Sequence, residues 1–255
     1  MNTKPNVFVV MPAYNAERTL EKTYREIPKS NVTKIIVVDD KSMDHTVDVA
    51  KHLGLEVIVH EKNLGYGGNQ KTCYDAALSQ GADIVVMVHP DYQYDPSVLP
   101  QMIEAIQNGQ ADIMFGSRML LKKDALAGGM PLYKFCSNIF LTFFENLVFR
   151  RRLSEYHTGL RAYSRHFLKH ICYHDYSNGF IFDTEIVASA CHHGFKIGEV
   201  AIKTRYQQDS SSISFKDSIV YGLLTLNVLR KYLLKKRKHE AKVKTSTEIR
   251  PSHCG

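Results

Sequence analysis

Apolar and polar positions follow one another in short blocks along the first half of the chain. Val7–Met11 (VFVVM), Lys34–Val38 (KIIVV), Glu56–His60, Ile84–Val88 and Ala111–Ser117 (ADIMFGS) are brief, mostly apolar runs. Strands buried on both faces of a parallel sheet read this way, whereas a half-exposed strand would alternate. Helical stretches with start and stop signals lie between them: Arg18–Ile27 before Pro28, a segment that Asp44 can cap and Gly54 stops, one from the glycine-bearing loop Asn63–Gln70 through Ala77, and Ser97–Asn108. Strand and helix in regular alternation predict an α/β fold, a mostly parallel Rossmann-like central sheet with helices on both faces.

The second half is less regular. A loop with Lys122, Lys123, Asp124 and the pair Gly128-Gly129 is long enough for a lid. Pro131–Phe149 reads as a helix rich in Phe (135, 140, 143, 144 and 149) that runs into Arg150, Arg151 and Arg152. Two readings fit it: a core helix whose terminal cations suit the helix dipole, or an interfacial helix lying on a membrane. Tyr156–Ser164 is a turn and strand, Asp183–His192 a helix stopped by Gly194, and Lys196–Lys203 a further strand. RYQQDSSSISFKDS, from Arg205 on, is a polar loop, and Ile219–Leu234 is an apolar helix that ends in KKRK. These divisions suggest a folded body over 1–222, a basic amphipathic helix over 223–238 and an unstructured tail over 239–255.

Composition sharpens the picture at the C-terminus only. With 44% apolar and 23% charged residues, the 255-residue chain is ordinary globular protein. From Arg230 on, nine Lys and Arg stand against two acids, which accounts for the whole net charge of +7. The body is therefore neutral, and with no aromatic platform beside the lysines a nucleic-acid partner is not expected. Five scattered cysteines without a CxxC pair, and no signal peptide, suggest a reduced, cytoplasmic setting. Cys191, His192 and His193 are adjacent but point in different directions on a helix, so no metal site is read there. No run reaches the roughly 18 apolar residues that span a bilayer.

Candidate chemistry gathers at the strand ends. After Ile84–Val88 come His89, Asp91, Gln93 and Asp95 at a spacing of two, which an extended chain would turn to one side. Ligands in open α/β sheets bind outside the carboxyl ends of the strands, where a carboxylate and an imidazole can hold a divalent cation against phosphate oxygens. A plain Pro and Asp turn explains the same stretch. Asp39 and Asp40 end the second strand, and a carboxylate there can accept from ribose hydroxyls. Gly65, Gly67 and Gly68 would let backbone approach a ligand closely, or serve a turn before a helix.

Taken in order, PAYNAE (Pro12–Glu17), VVDDKSMDHT with Asp39 and Asp40, NLGYGGNQ, HPDYQ, GSR (Gly116–Arg118), EYHTGLRAYSR (Glu155–Arg165), FDTEI (Phe182–Ile186) and GEVAI (Gly198–Ile202) resemble a family 2 glycosyltransferase of the GT-A fold. Within it they are similar to the dolichol-phosphate mannose synthase-like, polyprenyl-phosphate branch. The resemblance covers about Val7–Gly222 and divides it into a nucleotide-sugar half, about 1–118, and an acceptor half, about 119–222, followed by C-terminal helices on the acceptor side. It implies nucleotide-sugar binding by Pro12, Tyr14, Glu17, Asp39, Asp40, Gly67 and Gln93. One departure stands out: the family's usual Asp-x-Asp is here His89-Pro90-Asp91. Asp91 is then the implied ligand of Mn2+ or Mg2+, with His89 either sharing the ion or hydrogen-bonding a diphosphate oxygen, and metal dependence weaker than usual.

The implied reaction inverts the anomeric centre in one step, with a cation at Asp91 and the Arg118 guanidinium stabilising charge on the leaving nucleotide. A UDP- or GDP-sugar is the donor. A polyprenyl phosphate acceptor is already anionic, and Arg161, helped by Arg205 and Lys216, would position it. A glycan hydroxyl would instead need a base, for which Asp183 is the candidate. The chain lacks the QxxRW signature of processive polysaccharide synthases and the C-terminal transmembrane pair of many polyprenyl-phosphate enzymes. Membrane contact would therefore be peripheral, on the cytoplasmic face, through Pro131–Arg152 and Ile219–Lys238. Two other classes compete: a nucleotidyltransferase, disfavoured because PAYNAERT is not a basic glycine-rich loop, and a catalytically silent nucleotide-sugar binder.

Overall fold

The computed structural model describes residues 4–205 and 215–248, without the side chains of residues 124, 215, 216 and 237–248. The polar loop expected after Arg205 and the Lys216 side chain expected at the acceptor phosphate lie outside the described residues.

In chain order the elements are β1 (Val7–Ala13), α1 (Leu20–Glu26), β2 (Lys34–Asp39), α2 (Thr46–His52), β3 (Glu56–Val59), α3 (Tyr66–Ser79), β4 (Ile84–Met87), α4 (Leu99–Gln107), β5 (Ile113–Ser117), α5 (Lys122–Ala127), α6 (Leu132–Phe149), β6 (Arg161–Ser164), α7 (Arg165–His170), α8 (Phe182–His192), β7 (Ile197–Ala201) and α9 (Phe215–Glu248). Seven strands form one sheet in the order β3-β2-β1-β4-β6-β5-β7. Every residue of β1 is buried. Its side chains part by alternation, Phe8 and Val10 into one core layer and Val7, Val9 and Met11 into the other. The first layer includes Tyr74 of α3, Phe182 of α8 and Val228 of α9, and the second Leu20 of α1 and Met102 of α4. Helices therefore cover both faces, which is why the strands carry nearly unbroken apolar runs.

β6 is antiparallel to both neighbours and sits between β4 and β5, an insertion that chain order does not reveal. Its first residue, Arg161, lies opposite Met87 at the end of β4 and Phe115 near the end of β5. The reversal brings the loop before β6, Glu155–Leu160, to the same edge as the carboxyl ends of β1, β2 and β4.

Two other expectations change. The segment read as a lid loop contains the helix α5, because KKDALA is built of good helix formers that the following glycines end. α9 begins before Ile219 and stays helical to Glu248, well into the segment expected to be an unstructured tail. Glu240, Ala241, Lys242 and Lys244 in that stretch are good helix formers, and no Gly or Pro interrupts them.

α6 is inverted relative to an ordinary surface helix. Its buried stripe carries Asn138, Thr142 and Glu145 beside Leu141 and Phe149, while Leu132, Ile139, Phe140, Phe143 and Leu147 face outward. α9 packs on α6 and also turns Ile219, Val220, Leu223 and Leu224 outward.

Candidate active site

A cleft of about 950 Å³ opens at the carboxyl edge of the sheet, between the β1, β2 and β4 strand ends on one side and α6, α8 and the start of α9 on the other. Its volume is at the upper end of the range for small-molecule sites. His89, Asp91 and Gln93 all line it. The fourth residue of the series does not: Tyr92 adopts a left-handed backbone (φ 59°), the extended spacing breaks, and Asp95 instead accepts from the Ser97 amide at 2.9 Å.

The His89 ring runs nearly parallel to the Tyr66 ring and is offset from it, with centroids 5.3 Å apart and planes 10° apart, and Nε2 is 3.2 Å from the Tyr66 hydroxyl. That hydroxyl donates to Asp183 Oδ2 at 2.7 Å. Asp183, in the first turn of α8, is buried and lines the cleft, and its second oxygen, Oδ1, has no hydrogen-bond partner among the described residues. Burial pushes the His89 imidazole below its usual value, against the opposing pull of Asp91 and Asp183, and so favours the neutral ring. Burial likewise holds the Tyr66 phenol well above its usual range, and the Asp183 charge adds to this.

Arg161 does not border the cleft. Its side chain is completely buried, donating from Nε to Thr158 O at 2.8 Å and from Nη2 to Tyr156 O at 2.9 Å, with Nη2 3.5 Å from Asp183 Oδ2. Burial would lower its pKa, but the Asp183 carboxylate together with the Tyr163 and Tyr66 hydroxyls outweighs that and raises it. The expected phosphate-binding arginine is instead the buried counter-charge of Asp183. Arg205 is also engaged elsewhere: it donates to Glu26 at 2.7 Å and lies over the Tyr92 ring, away from the cleft lining. Arg118 does line the cleft, with Nε donating to Glu155 Oε1 at 2.8 Å and Nη2 to His157 O at 2.6 Å. The second cleft cation is Lys134 on α6, which the sequence reading missed because a lone surface-type lysine carries no motif.

On the nucleotide side, Pro12, Tyr14 and Asp40 line the cleft. Asp40 is occupied with structure: Oδ1 accepts from the Leu64 amide at 2.7 Å and faces His60 Nδ1 at 2.7 Å, and Oδ2 accepts from the Gly65 amide at 2.9 Å. It anchors the glycine loop. Asp39 accepts from the Ser42 amide and hydroxyl, and Glu17 accepts from the His45 amide at 3.0 Å; neither borders the cleft. Gly67 is needed for packing, since a Cβ there would lie 2.5 Å from Ser177 O and 2.8 Å from Phe182 Cβ.

Sequence reasoning did not single out Tyr66, His157 or Tyr221. His157 lines the cleft, with Nδ1 2.8 Å from the Tyr221 hydroxyl of α9 and Nε2 3.0 Å from the buried Glu145 of α6. Tyr221 also meets Thr184 of α8 at 3.0 Å. Only the glycine loop's resemblance placed Tyr66 near the nucleotide, and nothing in the local sequence of His157 or Tyr221 signals the contact.

The sequence profile of Glycosyl transferase family 2 matches residues 8–172, more than half of the chain. The chain belongs to glycosyltransferase family 2. A UDP-N-acetylglucosamine–dolichyl-phosphate N-acetylglucosaminyltransferase of Methanococcus voltae is 31% identical over 245 residues, 87% of this chain and 96% of that protein. An uncharacterized protein of Methanocaldococcus jannaschii is 34% identical over 209 residues, 82% of this chain and 85% of its own. Among solved structures, glucosyl-3-phosphoglycerate synthase of Mycobacterium tuberculosis, in complex with Mg2+ and uridine diphosphate, superposes with a TM-score of 0.69 at 17% identity, over 89% of this chain and 79% of that one. The fold is GT-A and the protein is a glycosyltransferase.

Proposed function

We propose that the protein transfers a sugar with inversion from a UDP- or GDP-sugar to a polyprenyl phosphate, at a membrane surface. One observation carries the reading: the donor-side pair His89 and Asp91 shares a single cleft with Asp183, and a wall of that cleft is α6, whose outer face is apolar. The Methanococcus voltae relative, matched over nearly its whole length, is named for a UDP-sugar donor and a dolichyl-phosphate acceptor.

No group of three or more His, Cys, Asp or Glu at metal-binding distance occurs among the described residues. His89 and Asp91 would hold a divalent cation, with the remaining positions open to diphosphate oxygens and water, as for hard ions in nucleotide sites. The Mycobacterium tuberculosis neighbour's Mg2+ and uridine diphosphate are consistent with that arrangement. Such an ion, when bound, offsets the charge that develops on the leaving diphosphate. Arg118 borders the same space and adds a fixed positive charge. Tyr14 and Pro12 flank the nucleotide end.

With Arg161 buried and Arg205 paired to Glu26, the acceptor phosphate falls to Lys134 together with Arg118. Lys134 has its pKa lowered by burial and by the nearby Arg118 charge, and an anion between the two would relieve that repulsion. A phosphate oxygen is already anionic and needs no base. The outward Phe140, Phe143 and Leu147 of α6, with Leu223 of α9, give the isoprenoid chain and its bilayer an apolar surface beside the cleft.

A second reading rests on Asp183, a carboxylate that lines the cleft and whose Oδ1 has no hydrogen-bond partner among the described residues. It suits a glycan hydroxyl acceptor, whose proton it would take. The deciding experiment incubates the purified protein and Mn2+ with UDP-GlcNAc, UDP-glucose or GDP-mannose, offering either a polyprenyl phosphate or a set of glycans. Sugar appearing on the lipid phosphate supports the first reading. Product on glycans alone overturns it in favour of the second.

A further inference from the structure

Two uses of His89 remain after the cleft is described: its ring can share the donor-side cation, or it can donate a hydrogen bond to a diphosphate oxygen. The hydroxyl of Tyr66 decides between them. It carries one proton, and that proton is given to Asp183 Oδ2 at 2.7 Å. An oxygen that has donated its proton can only accept. His89 Nε2, 3.2 Å from the same oxygen, is then the donor, and a neutral imidazole with its proton on Nε2 has a lone pair on Nδ1.

We infer that Tyr66 is a positioning residue that fixes His89 as the Nε2–H tautomer, so that Nδ1 is a cation ligand beside Asp91 and not a hydrogen-bond donor to the diphosphate. The inference rests on the proposed donor-side cation and deepens it. The orientation of the ring is set on two sides. The Tyr66 hydroxyl meets Nε2, and the Cδ2–Nε2 edge meets Gly159, where a Cβ would stand 2.7 Å from Cδ2 and 3.2 Å from Nε2. Turning the ring over would put the lone-pair nitrogen against Gly159 and lose the Tyr66 contact. Nδ1 makes no hydrogen bond to any described residue, while His89 as a whole borders the cleft. Arg161, 3.5 Å from Asp183 Oδ2, keeps that carboxylate an acceptor, so the chain Arg161–Asp183–Tyr66–His89 propagates one polarity from the buried arginine to the ring. Metal-bound histidines are commonly oriented through their second nitrogen in this way.

Substitution of the family's first acid by His89 thus retains a ligand and changes its character. Imidazole nitrogen favours Mn2+ over the harder Mg2+.

The test begins with the whole protein free of nucleotide and metal. In long-range 1H–15N spectra of 15N-histidine-labelled protein near neutral pH, with His89 assigned by the H89Q difference, Nε2 is expected to be protonated and Nδ1 not. Tyr66→Phe should convert that signal to a mixture of tautomers and weaken Mn2+ binding in the presence of UDP, or of GDP in a parallel arm, by about 10-fold or more. The thermal midpoint and binding of metal-free nucleotide should not change. Asp183→Asn, which leaves the phenol in place but weakens the demand for its proton, should give an intermediate mixture. A wild-type ring protonated on Nδ1, or a Tyr66→Phe protein with unaltered tautomer and Mn2+ affinity, overturns the inference; so does wild-type protein that binds neither Mn2+·UDP nor Mn2+·GDP. These readouts do not require turnover, so absence of sugar transfer would sink the proposed function while leaving this result standing.

Discussion

Glu155 is a fully buried carboxylate that receives the backbone amide and the guanidinium of Arg118 and the Asn138 amide. Burial alone would raise its pKa, but the Arg118 charge and these hydrogen bonds outweigh burial and hold it below its usual 4.5. A carboxylate depressed on folding contributes stability that is complete above its unfolded value and is lost as pH falls through the folded one. Wild type should therefore exceed Glu155→Gln in urea midpoint at neutral pH, and the gap should close progressively below about pH 4.5. Removing the partner outright, as in Glu155→Ala, should cost on the order of 3–5 kcal/mol, because the Arg118 charge is left buried. Asp91 is the contrasting case. It borders the cleft and is not fully buried, so Asp91→Ala should leave the thermal midpoint nearly unchanged while lowering sugar transfer by about 100-fold or more. Both Arg118 and Arg161 stood out in the sequence, yet only Arg118 lines the cleft. A guanidinium fits a phosphate and a ring of backbone carbonyls equally well, and only the reversal at β6, which lies in no local pattern, tells that Arg161 meets the latter.

At the level of elements, the strands of the first half were legible because burial on both faces leaves an unbroken apolar run. The place of β6 was not legible, since it reaches the centre of the sheet after three intervening helices and a strand. α3 gives one of its glycines a use in packing. Gly67 belongs to the glycine loop that the sequence singled out for close approach of a ligand, but what approaches is the Ser177 carbonyl and Phe182 of α8, with the Gly67 amide donating to Asn178 O at 2.7 Å. Alanine in place of a helical glycine ordinarily gains roughly 1 kcal/mol. Here overpacking against backbone, at about 1–3 kcal/mol, opposes that gain and is the larger effect. Gly67→Ala should be net destabilised in chemical denaturation, and weaker donor binding should accompany it because α3 carries Tyr66 at its first turn. A more stable Gly67→Ala protein would show that α8 yields freely, and would remove the packing account of the motif.

For the whole molecule, the neutral body and the basic C-terminus meet a single apolar surface. α6 and α9 turn Phe143 (62% exposed), Leu147 (65%) and Leu223 (64%) to the outside, and Arg150–Arg152 follow the end of α6. No helix among the described residues is long and apolar enough to cross a membrane, so attachment through these helices would rest on burial at the interface plus charge. The two contributions respond differently to salt. Basic residues near an anionic leaflet gain about 1 kcal/mol each, and that part fades as the screening length falls from about 10 Å at 0.1 M salt to about 3 Å at 1 M. Apolar burial does not fade. Vesicles containing anionic lipid should accordingly bind the protein more weakly at 1 M salt than at 0.1 M but still measurably, while a Phe140→Ser, Phe143→Ser, Leu147→Ser protein should bind only at low salt. All three side chains face away from the cleft, so the same variant should keep transfer to a short, water-soluble isoprenoid phosphate and lose it to a long-chain acceptor held in vesicles. If it loses both equally, the outer face of α6 supports the fold of the cleft wall and has no part in meeting the lipid. If it retains both, the long-chain acceptor reaches Lys134 and Arg118 by a route that does not cross this face.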